Sequence, residues 1–427
     1  MKAVVLAAGR GERLRSSTPK PLVRLFGVAL IDRVIENLRS AGVSEIVVVC
    51  SHPEVERHVA GRARVVRNEH VERGGGYSLL LGARALRGEG FLLVMSDHLF
   101  EREILTRLIA SRPECTTLCT DSALEGRDVE EATKALVDSG VVVDLGKQIR
   151  RFNALDTGVF YCTPEVLEVA ESFRGRFSVT DVMLRLAQDG RLRALDVTGC
   201  YWRDIDTRED LRQAERELLA RLVKTSDGYV SRYINRKLSV PLSRVLVGTP
   251  VTPNAISVFS FLLCVASGVG FALSKPLLGG VLAQVSSVID GCDGEVARLR
   301  GRASSFGAYF DSLLDRYGDM VVIAGMIAAS PAQNWIPGVL AIAGCYSISY
   351  TSAKHELYRI PVSSAGRLMQ RDMRLFLIFL GGVLGAVYQT LLVLAVLANA
   401  VALLRLYQAK GGGRSEGGEA EGKGESA

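Results

Sequence analysis

The chain has no Gly-Lys-Ser/Thr triplet after its N-terminal glycine turn, which excludes a Walker-type phosphate loop there. The same turn lacks the third glycine of a dinucleotide-binding fingerprint. Paired cysteine motifs are missing too. The eight cysteines are scattered, and Cys115 and Cys119 stand four apart with no second pair and no nearby histidine. Small buried thiols in a reducing cytosol are therefore expected, rather than a zinc site or a disulfide framework. Met1 to Gly9 is too short for the apolar core of a signal peptide and runs into a glycine loop. No DNA- or RNA-binding signature occurs. The net charge of +6, from 52 basic and 46 acidic residues, points to an anionic substrate or membrane surface rather than to nucleic acid. Lysine is scarce: 10 of the 52 basic residues, the other 42 being arginine, a balance compatible with a heat-adapted protein.

What is present divides near residue 225. The 427 residues allow two or three domains. A hydrophobic content of 48% and a mean hydropathy of +0.20 are high for a soluble protein, and the apolar excess lies after residue 250. We expect a soluble head at 1–224, an amphipathic juxtamembrane linker at 225–250, a transmembrane domain at 251–410 and a disordered low-complexity tail at 411–427.

In the head, Ala3 to Ala8 is an apolar run that meets Gly9-Arg-Gly11-Glu-Arg13-Leu14. This is a strand entering a glycine-rich turn, whose backbone N–H groups can approach phosphate oxygens. Lys20, between Pro19 and Pro21, offers a point charge to a polyphosphate. Ile31 to Ala41 and Tyr77 to Leu86 have helical periodicity, while Glu45 to Cys50 and Phe91 to Met95 read as buried strands. Such alternation predicts an α/β, Rossmann-like fold with a mostly parallel sheet and its ligand at the strands' C-terminal ends. Gly74 to Ser78 either contacts a base or ribose or is a plain loop.

The longer pattern Leu6-Ala-Ala8-Gly9-Arg-Gly11-Glu-Arg13-Leu14…Pro19-Lys20-Pro21-Leu22 resembles the signature of nucleotidyltransferases that make NDP-sugars and CDP-alcohols. The resemblance implies that Leu6, Ala8, Gly9 and Gly11 line the nucleotide and that Arg13 and Lys20 stabilise phosphate charge. It implies Mg²⁺ at Asp97, in Met95-Ser-Asp97-His98; the plain reading of a lone Asp there is a helix cap or turn residue. Asp156-Thr157-Gly158 resembles the family's substrate loop. Trp202-Arg-Asp204-Ile-Asp206-Thr207 resembles its second acidic site, with Asp204 the better match for a metal ligand and Asp206 the alternative. Lys134 is a candidate for the incoming phosphate, or an ordinary surface lysine. The implied chemistry is in-line attack by a phosphomonoester oxygen on the α-phosphorus of an NTP, with pyrophosphate leaving.

Asp210 to Val223 reads as a charged helix with an apolar stripe, and Ser226 to Ser239 as a basic amphipathic segment lying on an anionic leaflet, with a solvated linker helix as the alternative. Thr252-Pro253-Asn254 breaks the chain, and the proline suits the first turn of a helix. Apolar segments then run at 255–273, 277–297, 304–329, 335–353, 373–388 and 390–407, the last two sharing a tight turn at Tyr388-Gln389. We expect an all-α domain of six transmembrane helices. Arg298, Arg300 and Arg302 crowd one loop, and Lys354, Arg359, Arg367, Arg371 and Arg374 another. The opposite loops carry almost no charge. Both termini and the arginine-rich loops are therefore expected in the cytoplasm of a multi-pass membrane protein.

Four aspartates interrupt these apolar segments. Asp290 and Asp293 are three apart, Asp311 and Asp315 four apart, spacings that place each pair on one helix face. Acids in such surroundings are costly unless cations compensate them, and oxygen-only ligands favour Mg²⁺, Mn²⁺ or Ca²⁺. A proton relay or cation transporter is the alternative. The spacing Asp290-x2-Asp293-Gly294-x2-Ala297-Arg298-x8-Gly307-x3-Asp311-x3-Asp315 resembles the CDP-alcohol phosphotransferase motif at every fixed position. That resemblance implies two metals on Asp290, Asp293 and Asp311, room for cytidine at Gly294, Ala297 and Gly307, and Arg298 beside the nucleotide. Asp315 would be the general base and a further metal neighbour. Arg367, Arg371 and Arg374 either bind a phosphorylated acceptor or only set orientation.

A head that makes a CDP-alcohol, fused to a domain that consumes one, resembles the bifunctional enzymes of di-myo-inositol phosphate synthesis. The resemblance implies CTP, inositol-1-phosphate and CDP-inositol as ligands, Mg²⁺ (Mn²⁺ as a substitute) at both sites, and a homodimer through the transmembrane domain. A CDP-alcohol route to a lipid headgroup and a nucleotide-regulated transporter are the competing expectations.

Overall fold

The computed structural model describes residues 1–9, 11–14, 16–87, 89–125, 129–223, 228–358 and 360–412. The expected head boundary at Lys224, linker residues 225–227, Arg359 and tail residues 413–427 lie outside the described residues. The chain forms two compact units, Met1–Leu218 and Leu219–Ala427.

The first unit is built on a nine-stranded sheet. From edge to edge its strands are Arg64–Arg67, Glu45–Cys50, Lys2–Ala7, Phe91–Met95, Ala154–Cys162, Thr116–Asp121, Leu192–Asp196, Val141–Gly146 and Lys134–Asp138. The first four pair in parallel, as the strand–helix alternation requires. The rest corrects the expectation of a mostly parallel sheet. Ala154–Cys162 runs antiparallel to both its main neighbours, and Lys134–Asp138 and Val141–Gly146 form a hairpin. Among the described residues no helix separates 116–162, and only Ser139 and Gly140 join the two hairpin strands, which permits antiparallel pairing; Leu192–Asp196, which follows two helices, pairs in parallel with Thr116–Asp121. Helices cover the sheet and give two buried apolar layers, one around Ile31, Val48 and Leu105, the other around Val47, Leu79 and Phe160. A separate two-stranded ribbon pairs His98–Phe100 with Trp202–Asp204.

The second unit is helical: α1 Arg236–Leu246, α2 Pro253–Ala272, α3 Pro276–Leu299, α4 Ser305–Ala329, α5 Pro331–Leu357, α6 Arg371–Val383 and α7 Val387–Gly412. Thr252 caps α2 by accepting the Ala255 N–H at 3.3 Å, with Pro253 in the first turn. Ser304 caps α4 through the Gly307 N–H at 3.0 Å. The turn between the last two helices falls at 384–386, where Gly385 has φ +66°. Tyr388 and Gln389 instead begin α7, so the expected turn position is corrected: a left-handed glycine ends the helix, not the polar pair. α2 and α4 cross closely, because a Cβ on Gly325 would lie 2.1 Å from the Gly268 carbonyl oxygen.

Beside an apolar core around Phe271, Val322 and Leu391, this unit buries polar side chains and turns large apolar ones outward. Ser257, Ser260, Ser267, Ser286, Asn334 and Arg374 are buried, whereas Phe259, Leu262, Val269, Leu273, Leu340 and Leu403 are exposed. Among the described residues, two helices are long and apolar enough to cross a membrane, Pro253–Ala272 and Val387–Lys410. Next to α1, Asn235 donates to Ser287 at 3.0 Å. On α1 itself, Arg236 pairs with the buried Glu295 at 2.5 Å, while Leu238 and Val245 face outward.

Candidate active sites

In the first unit the site gathers at the C-terminal ends of the parallel strands. The strand Lys2–Ala7 delivers the glycine turn. Gly11, at φ +64°, is required there: a Cβ would lie 2.6 Å from Lys20 Cβ. The buried stem of Lys20 passes through that gap and brings its ammonium 2.5 Å from Asp97, 2.5 Å from Asp206 and 3.8 Å from Asp204. Burial works against the Lys20 charge, but Asp97, Asp204 and Asp206 outweigh it and hold the ammonium above the usual lysine range. Arg13 reaches Glu131 at 3.1 Å and Asp206 at 3.4 Å.

The two-stranded ribbon sets the acids. Its register places Asp204 opposite His98, and the Ile205 N–H donates to the Asp97 carbonyl at 3.1 Å. Asp97, His98 and Asp204 each offer one ligand atom, all within 4.8 Å of one another. Asp204 Oδ1 is buried without a hydrogen-bond partner, which fits a cation-binding acid. Asp206 differs: Asp210 receives its N–H at 3.1 Å, and its carboxylate goes to Lys20 and Arg13. Burial raises the Asp204 pKa, with Asp97 and Asp206 adding to the rise against His98 and Lys20. For Asp206 burial is outweighed by Lys20 and Arg13, and the pKa is lowered.

A cavity of about 130 Å³ opens beside these groups, lined by His98, Thr133, Lys147, Asp156, Asp204 and Asp206 among others. Burial pushes Asp156 up to about 6, and its carboxylate accepts the Gly158 N–H at 2.7 Å. Lys134 does not line this cavity. Its ammonium donates to the Lys147 carbonyl at 2.8 Å, and the Lys147 side chain lines the cavity instead. Lys134 opens one strand of the hairpin and Lys147 follows the other, whose last residue Gly146 pairs with Lys134; the hairpin brings the two lysines together, and no spacing rule in the sequence separated them. Gly74 and Gly76 pack against Phe177, where a Cβ on Gly76 would meet the ring at 2.2 Å, so that loop serves helix packing.

In the second unit α3 presents Asp290 and Asp293, and α4 presents Asp311 and Asp315. Ligand oxygens of Asp290, Asp311 and Asp315 lie within 4.8 Å of one another. Ser257 on α2 donates to Asp293, and Ser260 to Asp290 at 3.2 Å. Asp311 Oδ1 is buried without a hydrogen-bond partner. An all-carboxylate donor set with an orphaned buried oxygen fits a hard divalent cation. A Cβ on Gly294 or Gly307 would meet mainly flexible side-chain ends, of Arg298 and of Ser304 and Asn254, so neither glycine is demanded by helix packing.

The three arginines expected either to bind an acceptor phosphate or to set orientation occupy different surroundings. Arg371 is seated among the acids, 2.6 Å from Asp290, 2.7 Å from Asp315 and 3.3 Å from Asp319. Arg374, one turn on, is 4% exposed between Asp319 at 2.9 Å and the Cys345 carbonyl at 3.2 Å. Arg367 precedes α6 and lines a separate cleft of about 200 Å³ with Arg232, Tyr229, Tyr233, Ser364 and Gln370. Asp319 escaped the sequence reading because the motif stops at Asp315. The signal was there: Asp311, Asp315 and Asp319 continue one four-residue spacing.

Residues 3–176 match the MobA-like NTP transferase domain family, and residues 250–406 match the CDP-alcohol phosphatidyltransferase family. A bifunctional IPC transferase and DIPP synthase from Rubrobacter xylanophilus is 40% identical over 423 residues, covering 96% of this chain and 97% of the relative. Its counterpart from Aquifex aeolicus is 34% identical, over 95% and 97%. Among solved structures, an inositol-1-phosphate CTP transferase from T. maritima is 30% identical, covering 52% of this chain and 96% of that chain, at a TM-score of 0.47.

Proposed function

The chain belongs to the family of bifunctional IPC transferases and DIPP synthases, and from that premise we propose how its two units divide the work. The first unit makes CDP-inositol and pyrophosphate from CTP and inositol-1-phosphate. The second transfers the inositol phosphate group from CDP-inositol to another inositol-1-phosphate, releasing CMP and giving a phosphorylated di-inositol phosphodiester. One observation carries this reading: among the described residues two groups of potential cation ligands form, Asp97–His98–Asp204 and Asp290–Asp311–Asp315, each in the unit that matches a transferase family of its own.

In the head, Lys20 and Arg13 hold the triphosphate, and the turn Leu6 to Gly11 lies along the nucleotide. Asp97 and Asp204 hold the cation, and Asp206 positions Lys20. Asp156, Gly158 and Lys147 face the inositol phosphate, Lys147 taking the part expected of Lys134. The phosphomonoester is already anionic at neutral pH, so no protein base is needed. In the tail, Asp290, Asp293 and Asp311 hold cations, and Gly294, Ala297, Arg298 and Gly307 face the cytidine nucleotide. Asp315 takes the proton from the acceptor hydroxyl as it attacks the β-phosphorus, and Arg371 faces the acceptor's phosphate. Mg²⁺, with Mn²⁺ as a substitute, would neutralise phosphate oxygens at both sites.

The tail lies in a membrane as six spanning helices, α2 to α7, with both termini cytoplasmic. The exposed apolar faces and the buried serines and charges support this, since both suit a lipid surround. α1 lies along the cytoplasmic leaflet with Leu238 and Val245 toward it, and two chains pair through the helical domain.

The test supplies CTP, Mg²⁺ and inositol-1-phosphate to the purified full chain and follows pyrophosphate and CMP. Both are expected. A lack of pyrophosphate removes the head assignment, and pyrophosphate without CMP, even with added CDP-inositol, removes the tail assignment.

A further inference from the structure

We propose that His98 is a third protein ligand of the divalent cation in the head, completing Asp97 and Asp204 and shifting the site's preference from Mg²⁺ toward Mn²⁺. The inference rests on the reading that Asp97 and Asp204 hold a cation.

Three independent features place the imidazole for this. The ribbon makes His98 and Asp204 directly opposed residues of an antiparallel pair, whose side chains share one face. His98 Nε2 accordingly lies 3.7 Å from Asp204 Oδ2, a separation two ligands of one ion can adopt.

The second feature is the other ring nitrogen. His98 Nδ1 is 3.0 Å from the Thr157 carbonyl oxygen. A carbonyl only accepts, so Nδ1 carries the proton, and in the neutral ring the Nε2 lone pair faces the acids. Metal-bound histidines are commonly held this way, with the distal N–H given to a backbone carbonyl.

The third is the space the ring occupies. Gly158 has φ +75°, and a Cβ there would fall 2.1 Å from His98 Nδ1. The glycine of the expected substrate loop therefore also seats the imidazole. No side chain other than glycine fits beneath the ring in this position.

The competing arrangement is an imidazolium paired with Asp204. It also satisfies the Thr157 contact but leaves Nε2 protonated and unable to bind metal. The two differ in what a bound ion touches. An oxygen-only site favours Mg²⁺, whereas an imidazole ligand favours Mn²⁺ and later divalent ions.

The experiment loads the full chain with Mn²⁺ in an Asp311→Asn background, which removes the orphaned ligand of the tail cluster. Electron spin echo modulation then reports any ¹⁴N bound directly to the ion. We expect imidazole nitrogen modulation that is lost in His98→Gln and kept in His355→Gln, which replaces the buried histidine near the end of α5 in the second unit. Mn²⁺ affinity should fall on the order of tenfold or more in His98→Gln, with a smaller loss for Mg²⁺. Gly158→Ala should also lose the modulation, because its Cβ displaces the ring. Mn²⁺ bound in an Asp97-dependent manner without nitrogen modulation overturns the role of His98 and leaves the acids' role standing. No Asp97-dependent Mn²⁺ binding overturns both.

Discussion

Asp319→Ala should destabilise the helical unit by about 3–5 kcal/mol, the range for stranding one partner of a buried ion pair. Asp319 is 6% exposed and lies 2.9 Å from Arg374 and 3.3 Å from Arg371. Once the carboxylate is gone, Arg371 retains Asp290 and Asp315. Among the described residues Arg374 then retains the Cys345 carbonyl at 3.2 Å, so most of the penalty is its uncompensated charge. The double variant Asp319→Leu/Arg374→Met should recover most of the loss, because apolar groups of similar size replace a buried pair at little net cost. The chain has two tryptophans, Trp202 in the first unit and Trp335 in the second. With Trp202→Phe, fluorescence of Trp335 follows unfolding of the helical unit alone in detergent. Function offers a second readout: Arg371 loses an anchor, so CMP release should fall while pyrophosphate release holds. A cost below about 1 kcal/mol, or a double variant no more stable than Asp319→Ala, would refute the reasoning.

Three further outcomes follow from the geometry. Asp315→Asn should abolish CMP release and spare pyrophosphate release, while Asp97→Ala should do the reverse when CDP-inositol is supplied; loss of both activities in either variant contradicts two independent sites. Asp156, pushed up to about 6 from 3.8 by burial, makes a contribution to stability that is complete below pH ~3.8 and lost as pH rises through ~6. In chelator-treated protein, Asp156→Asn keeps the acceptor for Gly158 and should raise the first unit's melting temperature at pH 7.5 but not at pH 3.5; equal shifts at both values would contradict this. Gly268→Leu should break the α2–α4 crossing, since even a Cβ would lie 2.6 Å from the Val321 carbonyl oxygen; intact thermal stability and CMP release in that variant would show that the crossing is dispensable.

Local signals in the sequence carried far where they encode backbone chemistry. The apolar run before Gly9, the first-turn proline at Pro253 and the three- and four-residue spacing of the aspartates all survive in the structure, because each is decided within one or two turns of chain. Contacts set by tertiary pairing were not legible. The opposition of His98 and Asp204 depends on a ribbon joining segments about a hundred residues apart, and no local pattern announces it. The antiparallel strands after residue 116 were hidden behind the strand–helix alternation of the first hundred residues. Arg371, Arg374 and Arg367 read alike as loop charges, yet the start of α6 carries the first two inward and leaves the third at a cleft.

The position of Arg371 bears on how the helical site endures without metal. One guanidinium touches acids on both α3 and α4, so the chain supplies its own positive charge to the place that would otherwise repel itself apart. Chelation should then act as a reversible brake: turnover stops, the two helices stay clasped, and restoring the cation restores activity without refolding. That separates survival of the fold from momentary metal supply.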